Sequence, residues 1–374
     1  MSNFRNSFYA VATIAGTIIG VGFFSLPYIA SKVGILVMLG YFVILGGIVI
    51  LIHLIFGELS LKTPDFKRLP GFAKFYLGDR YAKIALSSAI LGLFGSILAY
   101  LIVGGQFLGE LFSPIFGGGN FLYTFLYFAA GALLIYFGIK IISKIEFLGV
   151  ILLLIIIFII YFKGRPLIHF ENLIFFPINR KLGIGDLFLP YGPILFSLWG
   201  AALVPEVEEM LEKRKKSLKT IILISTLIPI LVYIFFVYLI LGISGQATTE
   251  FALTGLKQFF KTEIFSLGLI FGIIASFTSF IAIGLTLKNI LSYDFKINEK
   301  ISWLISCFIP LILFLLGFKN FIQVISVIGG VMLGVDGILI LLIYQKMGGH
   351  KKLVFPLILI FLGGIIYEIV RFVI

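Results

Sequence analysis

The chain has 374 residues, of which 60% are hydrophobic and 12% charged, and its mean hydropathy is +1.17. Soluble domains carry about 25% charged residues, so this composition excludes a soluble enzyme, and 42 phenylalanines exclude a disordered chain. The formal charge of +12 is no sign of nucleic acid, because the cytoplasmic loops of a membrane protein collect Lys and Arg. The single cysteine, Cys307, excludes a disulfide framework, and His53, His169 and His350 lack metal-ligand spacing.

Crossing about 30 Å of hydrocarbon takes about 20 helical residues. At that length the sequence predicts eleven spans, near 8–31, 34–57, 82–112, 121–139, 145–162, 187–206, 219–243, 262–290, 301–317, 321–345 and 353–373. The third and eighth are long enough to tilt or to extend beyond the bilayer. The first span carries Gly16-Thr17-Ile18-Ile19-Gly20-Val21-Gly22 and then Pro27. Each glycine weakens a helix by about 1 kcal/mol relative to Ala, so the helix is predicted to break there. Glycine-rich and without a small-residue cleavage site, this stretch is not a signal peptide. His53, alone in the second span, is expected to be a satisfied polar core residue. Segment 70–78 reads as a short amphipathic helix on the inner surface. The interior of the fifth span, 147–162, has no lysine.

The sixth span has its own interruption around Ser197-Leu198-Trp199-Gly200-Ala201-Ala202. After it, Glu209 with Lys213 and Glu212 with Lys216 are i,i+4 pairs that favour a helix running on past the membrane. The eighth span holds Ser276, Thr278 and Ser279. Asp336 is the one acid expected deep inside a span, between Gly334 and Gly337 of the tenth; Glu110 and Glu368 are expected to be solvated near outer ends.

Two features organise these spans. Gly22-Phe23-Phe24-Ser25-Leu26-Pro27 and Gly200-Ala201-Ala202-Leu203-Val204-Pro205 share a pattern at an offset of 178, and spans 1–5 then match spans 6–10 in order and length. Five is odd, so the second copy (about 187–345) must cross in the opposite sense to the first (about 8–162), an inverted repeat, with 353–373 left as an extra helix. With the N-terminus inside, inner positions hold 20 of the 29 Lys and Arg and outer positions nine. The bias predicts a cytoplasmic N-terminus and an external C-terminus in the cell membrane.

The broken helices carry the chemistry. A break at Gly20 to Gly22 turns the N–H groups of Val21, Gly22 and Phe23 towards the start of a half-helix, a positive end that suits a carboxylate. Carbonyls near Ile18, Ile19 and Ser197 to Trp199 end the preceding half-helices and suit an ammonium group. A carboxylate and an ammonium held a few Å apart describe an α-amino acid. Neither broken span carries a charge near its break, which favours a neutral substrate, and Phe23, Phe24, Phe196 and Trp199 beside Gly200 would line an apolar or aromatic pocket.

Gly16 to Pro27 resembles the first-helix signature of the amino acid–polyamine–organocation superfamily, and Trp199-Gly200-Ala201-Ala202-Leu203-Val204-Pro205-Glu206 resembles its sixth-helix counterpart. Ser276-Phe277-Thr278-Ser279-Phe280, running to Gly284-Leu285-Thr286-Leu287-Lys288-Asn289-Ile290, is similar to the hydroxy and aromatic amino acid permeases. Those and the auxin/amino acid permeases also have eleven spans. The resemblance covers essentially the whole chain, which departs from many relatives in lacking cytoplasmic tails. It implies an all-α LeuT-type fold, a 5+5 inverted repeat with broken first and sixth helices plus an eleventh helix, acting as a secondary active transporter of amino acids.

The resemblance further implies that Ser276, Thr278 and Ser279, with carbonyls of the first break, provide a sodium site, since hydroxyl and carbonyl oxygens suit a hard cation. Asp336 is the alternative, as carrier of a coupling proton. No other cofactor, no nucleic acid and no obligate protein partner is expected; the partners are the substrate and the lipid bilayer. An exchanger, a sensor or a channel of the same fold are the alternative readings. An intramembrane aspartyl protease is disfavoured, because Asp294 falls in a predicted loop and the motif at Asp336 lacks a glycine directly before the acid.

Overall fold

The computed structural model describes residues 2–65, 67–138, 142–174, 183–211 and 216–373, and every regular element among them is a helix. Helix α1 (Ser2–Ile18) gives way after three residues to a 3-10 turn (Gly22–Ser25) and α2 (Leu26–Val33), and the two halves are bent by 47°. Gly34, with φ of 86°, alone joins α2 to α3 (Ile35–Lys62); a side chain would strain this left-handed turn. Then follow α4 (Leu69–Leu77), α5 (Asp79–Phe116), α6 (Asn120–Phe137) and α7 (Ile142–Gly164).

Short helices α8 (Glu171–Ile174) and α9 (Ile184–Leu187) lead to α10 (Tyr191–Leu198), a 3-10 turn (Ala201–Leu203) and α11 (Val204–Met210). The pairs Glu209 with Lys213 and Glu212 with Lys216 reach into 212–215, outside the described residues. Next come α12 (Leu218–Ser244), α13 (Thr262–Asn289) with a π-helical end (Ile290–Asp294), and α14 (Glu299–Leu315). A further span runs through α15 (Phe321–Val327), a π-helical segment (Ile328–Met332) and α16 (Leu333–Lys346), before α17 (Lys351–Val373).

Eight of the described stretches are long and apolar enough to cross a membrane, nine when α1 and α2 count as one span. The fifth and ninth expected positions are held by α7 and by α14, whose 17 residues stand at the short limit of about 17 for a crossing helix. The two six-residue motifs fold alike: each follows a helix end with a 3-10 turn and a new helix with proline as its second residue, Pro27 in α2 and Pro205 in α11. Proline is tolerated in a first turn, where its missing N–H would have had no partner.

Helix α4 is amphipathic as expected. It buries Phe72 and Ala73, with Phe72 edge-on to Phe56 of α3 at 5.3 Å, and exposes Lys74 and Phe75. At the centre, α12 packs on α1, α2 and α3, while α13 packs on α5, α6, α7 and α14. Val43, Phe125, Leu359 and Ile366 point outward from the bundle. In water such a surface would demand a partner; in a bilayer, lipid tails solvate it.

Candidate substrate site

Helix α1 stops because its backbone turns back on itself. Ile19 N–H donates to Ala15 O at 3.0 Å, but Gly20 N–H turns to Ile18 O at 2.8 Å, only two residues back. Phe24 N–H donates to Val21 O at 3.1 Å as the 3-10 turn begins. A Cβ on Gly20 would stand 2.6 Å from Tyr100 Oη, and one on Gly22 would stand 2.5 Å from Ser197 Oγ and 2.7 Å from the Phe196 ring. Both glycines are therefore required by close neighbours, and one of those contacts is with the other broken span.

In that span α10 ends at Leu198, Trp199 is extended (ψ 117°) and Gly200 turns (φ −130°, ψ 11°). Gly200 packs on Ile18, whose Cγ1 would lie 2.7 Å from an added Cβ. Its N–H donates to His53 Nε2 at 3.1 Å. The other ring nitrogen, Nδ1, lies 3.1 Å from Thr226 Oγ1, and that hydroxyl donates to Ile222 O at 2.9 Å. The chain of donors fixes the tautomer: Nε2 must accept, so Nδ1 carries the proton. His53, fully buried and edge-on to Trp199 at 5.9 Å, is a satisfied core residue that pins the sixth-span break.

One further side chain joins the breaks. Tyr233 of α12 is fully buried, and its hydroxyl lies 2.6 Å from Ile18 O and 3.0 Å from Ser197 O, sharing one proton between both half-helix ends. Its ring stacks on Phe23 at 5.5 Å and 2°. This changes the expectation for Ile18. With Gly20 N–H and Tyr233 on its two lone pairs, the Ile18 carbonyl has no capacity left for an ammonium group in this conformation. Ser197 O keeps one lone pair, and Ser197 Oγ is buried without a partner among the described residues. On one flank Phe23, Phe24, Phe107 and Phe236 close over the breaks, with Phe24 edge-on to Phe107 at 5.1 Å.

The structure thus brings together Ile18, Gly20, Gly22, Phe23, Phe196, Ser197, Trp199 and Gly200, with Ile19 and Val21 buried between them. The expected ion-coupling residues stand on α13 and α16. Ser276 donates to Ile273 O at 3.0 Å and receives Tyr127 Oη of α6 at 3.2 Å, so it faces α6. Thr278 back-bonds to Ala275 O at 3.1 Å. At about 100° per residue, Ser276 and Ser279 stand about 60° apart on one side of α13, while Thr278 points away from Ser276. Asp336 faces α5 beside Ser88, which donates to Met332 O at 2.9 Å, and its Oδ1 is buried without a partner among the described residues.

One expectation about acids fails. Glu368 is not solvated: it is 2% exposed, because α17 turns this face inward against Gly192 and Gly330. Asp336 is therefore not alone. Sequence reasoning also passed over Tyr233 and Tyr100, since a tyrosine inside an aromatic-rich span carries no periodic signal of its own.

Two broken spans whose breaks meet at the middle of a helical bundle define a membrane-embedded transporter of the LeuT-type fold. Among solved structures the chain is similar to MHP1, a nucleobase-cation-symport-1 family transporter in a closed conformation with bromovinylhydantoin bound, with a TM-score of 0.64, 16% identity and coverage of 89% of this chain and 77% of that one. It is likewise similar to MhsT in complex with L-phenylalanine, with a TM-score of 0.59, 16% identity and 97% of both chains covered. The tryptophan/tyrosine permease family model matches residues 4–368, and the chain belongs to that family. A Haemophilus influenzae relative described as "Tyrosine-specific transport system 1" is 25% identical over 325 residues, spanning 81% of this chain and 78% of that one. The protein is an amino acid permease and not an enzyme.

Proposed function

We propose that the protein is an ion-coupled symporter that takes a neutral aromatic amino acid into the cell, with its N-terminus in the cytoplasm and its C-terminus outside. The observation that carries this reading is the meeting of two uncharged helix breaks inside a ring of aromatic side chains. The α-carboxylate would lie at the start of the second half of span 1, at Val21, Gly22 and Phe23. The ammonium would lie at the end of α10, on Ser197 O and Trp199 O, with Ile19 O opposite. Phe196, Trp199, Phe23 and Tyr100 would bound the side chain. With no counter-charge at the breaks, a cationic or acidic substrate would be held against an uncompensated charge. The tyrosine system of Haemophilus influenzae and the L-phenylalanine in MhsT support an aromatic substrate.

The test is uptake of labelled L-tyrosine, L-tryptophan and L-phenylalanine into reconstituted vesicles, with sodium and proton gradients imposed separately. Accumulation that unlabelled aromatic amino acids compete, and lysine and glutamate do not, is the expected result. A sodium requirement that rises in Thr278→Val and Ser279→Ala would place the ion at α13. A pH-driven uptake lost in Asp336→Asn would place it at α16. Exchange of labelled for unlabelled substrate with neither gradient driving accumulation would make the protein an exchanger, and no flux at all would leave a sensor.

A further inference from the structure

Where α10, the π-helical segment 328–332 and α17 meet, three glycines let three backbones close on one carboxyl group. A Cβ on Gly329 would strike the Gly192 carbonyl, one on Gly330 would strike the Glu368 side chain, and one on Gly192 would lie 2.7 Å from Glu368 Oε1 and against Ser326. The Tyr191 ring lies on Gly364, one turn before Glu368 on the same face of α17. The Gly192 backbone N–H faces the Glu368 carboxyl, but the seam's polar groups are only partly satisfied. Glu368 Oε1, Ser326 Oγ and Tyr191 Oη are all buried without a hydrogen-bond partner among the described residues, in side chains 2%, 1% and 3% exposed. An ionised carboxylate in such a place would cost several kcal/mol without a cation. Arg371, one turn further along, is exposed and acts on the carboxyl only at a distance, forming no ion pair with it among the described residues.

We propose that Glu368 is a proton-binding site of the transport cycle: neutral in the closed seam seen here, and losing its proton when the seam opens to water. Ser326 Oγ and Tyr191 Oη are the groups that would take up the carboxyl's hydrogen bonds once a small shift aligns them. The site is placed to act on the substrate. A Cβ on Gly329 would also lie 2.8 Å from the backbone N of Phe196, so the π-helical segment packs closely on the stretch that runs into Ser197 and Trp199. Segments of π-helix recur at functional positions because the widened turn is easily rearranged. Opening the seam would move α10 away from α17 and hydrate the carboxyl; closing it would require the proton back. The titratable and charged groups that face Glu368 are few. They are Tyr191 on α10, with Tyr41 of α3 behind it, and Tyr367 and Arg371 on α17 itself, with Asp186 near Tyr367. The sequence Phe321 to Leu333, packed on the third side, has no titratable residue.

This proposal rests on the transport reading above, and the experiment separates the two. Purified full-length protein is reconstituted, and two fluxes of labelled L-tyrosine are measured: counterflow against internal unlabelled tyrosine, and accumulation driven by a pH gradient. For one proton per substrate a one-unit gradient supports accumulation of at most about tenfold. Glu368→Gln, which imitates the protonated carboxyl, should keep counterflow within about twofold and lose pH-driven accumulation and substrate-induced proton uptake. If Glu368→Gln fails to insert, Glu368→Asp, which keeps the acid, should insert and shift the pH of half-maximal accumulation. Accumulation by Glu368→Gln equal to the wild type, loss of its counterflow in an inserted protein, an unshifted profile in Glu368→Asp, or a wild type indifferent to pH would each overturn the proton site. A wild type without counterflow would sink the transport reading instead.

Discussion

Tyr233 is the residue on which the two breaks most directly depend. Its hydroxyl touches Ile18 O and Ser197 O, two carbonyls from opposite halves of the molecule that would otherwise be buried with unmet capacity. Tyr233→Phe keeps the ring stacked on Phe23 and removes only the hydroxyl. It should lower stability by about 1–3 kcal/mol, the cost of leaving buried polar groups unpaired, seen as a lower Tm in detergent, and it should weaken tyrosine binding as the half-helix ends drift apart. Unchanged Tm and affinity would mean that the breaks are held by other contacts. The glycines make a complementary prediction. Gly22→Leu must displace Ser197 Oγ and Phe196, and Gly20→Leu must displace the Tyr100 hydroxyl. Both should insert and lose uptake; normal uptake in both would remove the assigned site. At this scale the sequence announced the glycines, because a cluster of weak helix formers in a membrane span is itself a signal. It did not announce Tyr233, His53 as a pin, or buried Glu368, because each depends on which helix lies opposite.

Among the elements, the span positions and α4 were legible because apolar length and a one-sided pattern are local properties. The matching 3-10 turns at Gly22–Ser25 and Ala201–Leu203 follow from the repeated glycine and proline positions. The π-helical segment inside the tenth span was not legible: Ile328-Gly329-Gly330-Val331-Met332 reads as ordinary small-residue packing until Gly192 is placed against it. Nor was it legible which partners Ser276 and Thr278 would take: both bond back to carbonyls of their own helix, as Ser and Thr do freely. The order of elements gives a topology prediction. Lys74 on α4 and Lys319 between α14 and α15 are both exposed, and the expected topology puts them on opposite sides. Cys307 is fully buried, so the background is silent. Lys74→Cys should react with an impermeant maleimide from the cytoplasmic side and Lys319→Cys from outside. Labelling from the same side would refute the proposed orientation and the span count between them.

For the molecule as a whole, the two flanks of the breaks differ. Above Gly22 the rings of Phe23, Phe24, Phe107, Phe236, Phe251 and Phe321 form a continuous contact, from Phe24 to Phe107 at 5.1 Å, Phe107 to Phe251 at 6.5 Å and Phe251 to Phe321 at 5.6 Å. They come from the 3-10 turn Gly22–Ser25, α5, α12, the 245–261 connection and α15, so separating any one of these elements must break the seal. On the flank that carries the N-terminus, Thr17 next to the first break and Ala202 just after the second are exposed. A transporter that is shut on one face and accessible on the other presents its site to one compartment, and substrate must favour a different arrangement to be carried across. Thr17→Cys should therefore react with an impermeant thiol reagent applied to the N-terminal face. It should stay unreactive from the opposite face, where the six rings intervene. L-tyrosine at saturation should slow the reaction several-fold by drawing α1 and α10 together around it. Reaction from the opposite face alone would place the closed gate on the wrong side. Reaction from the N-terminal face without protection by any aromatic amino acid would separate the opening at Thr17 from the substrate site.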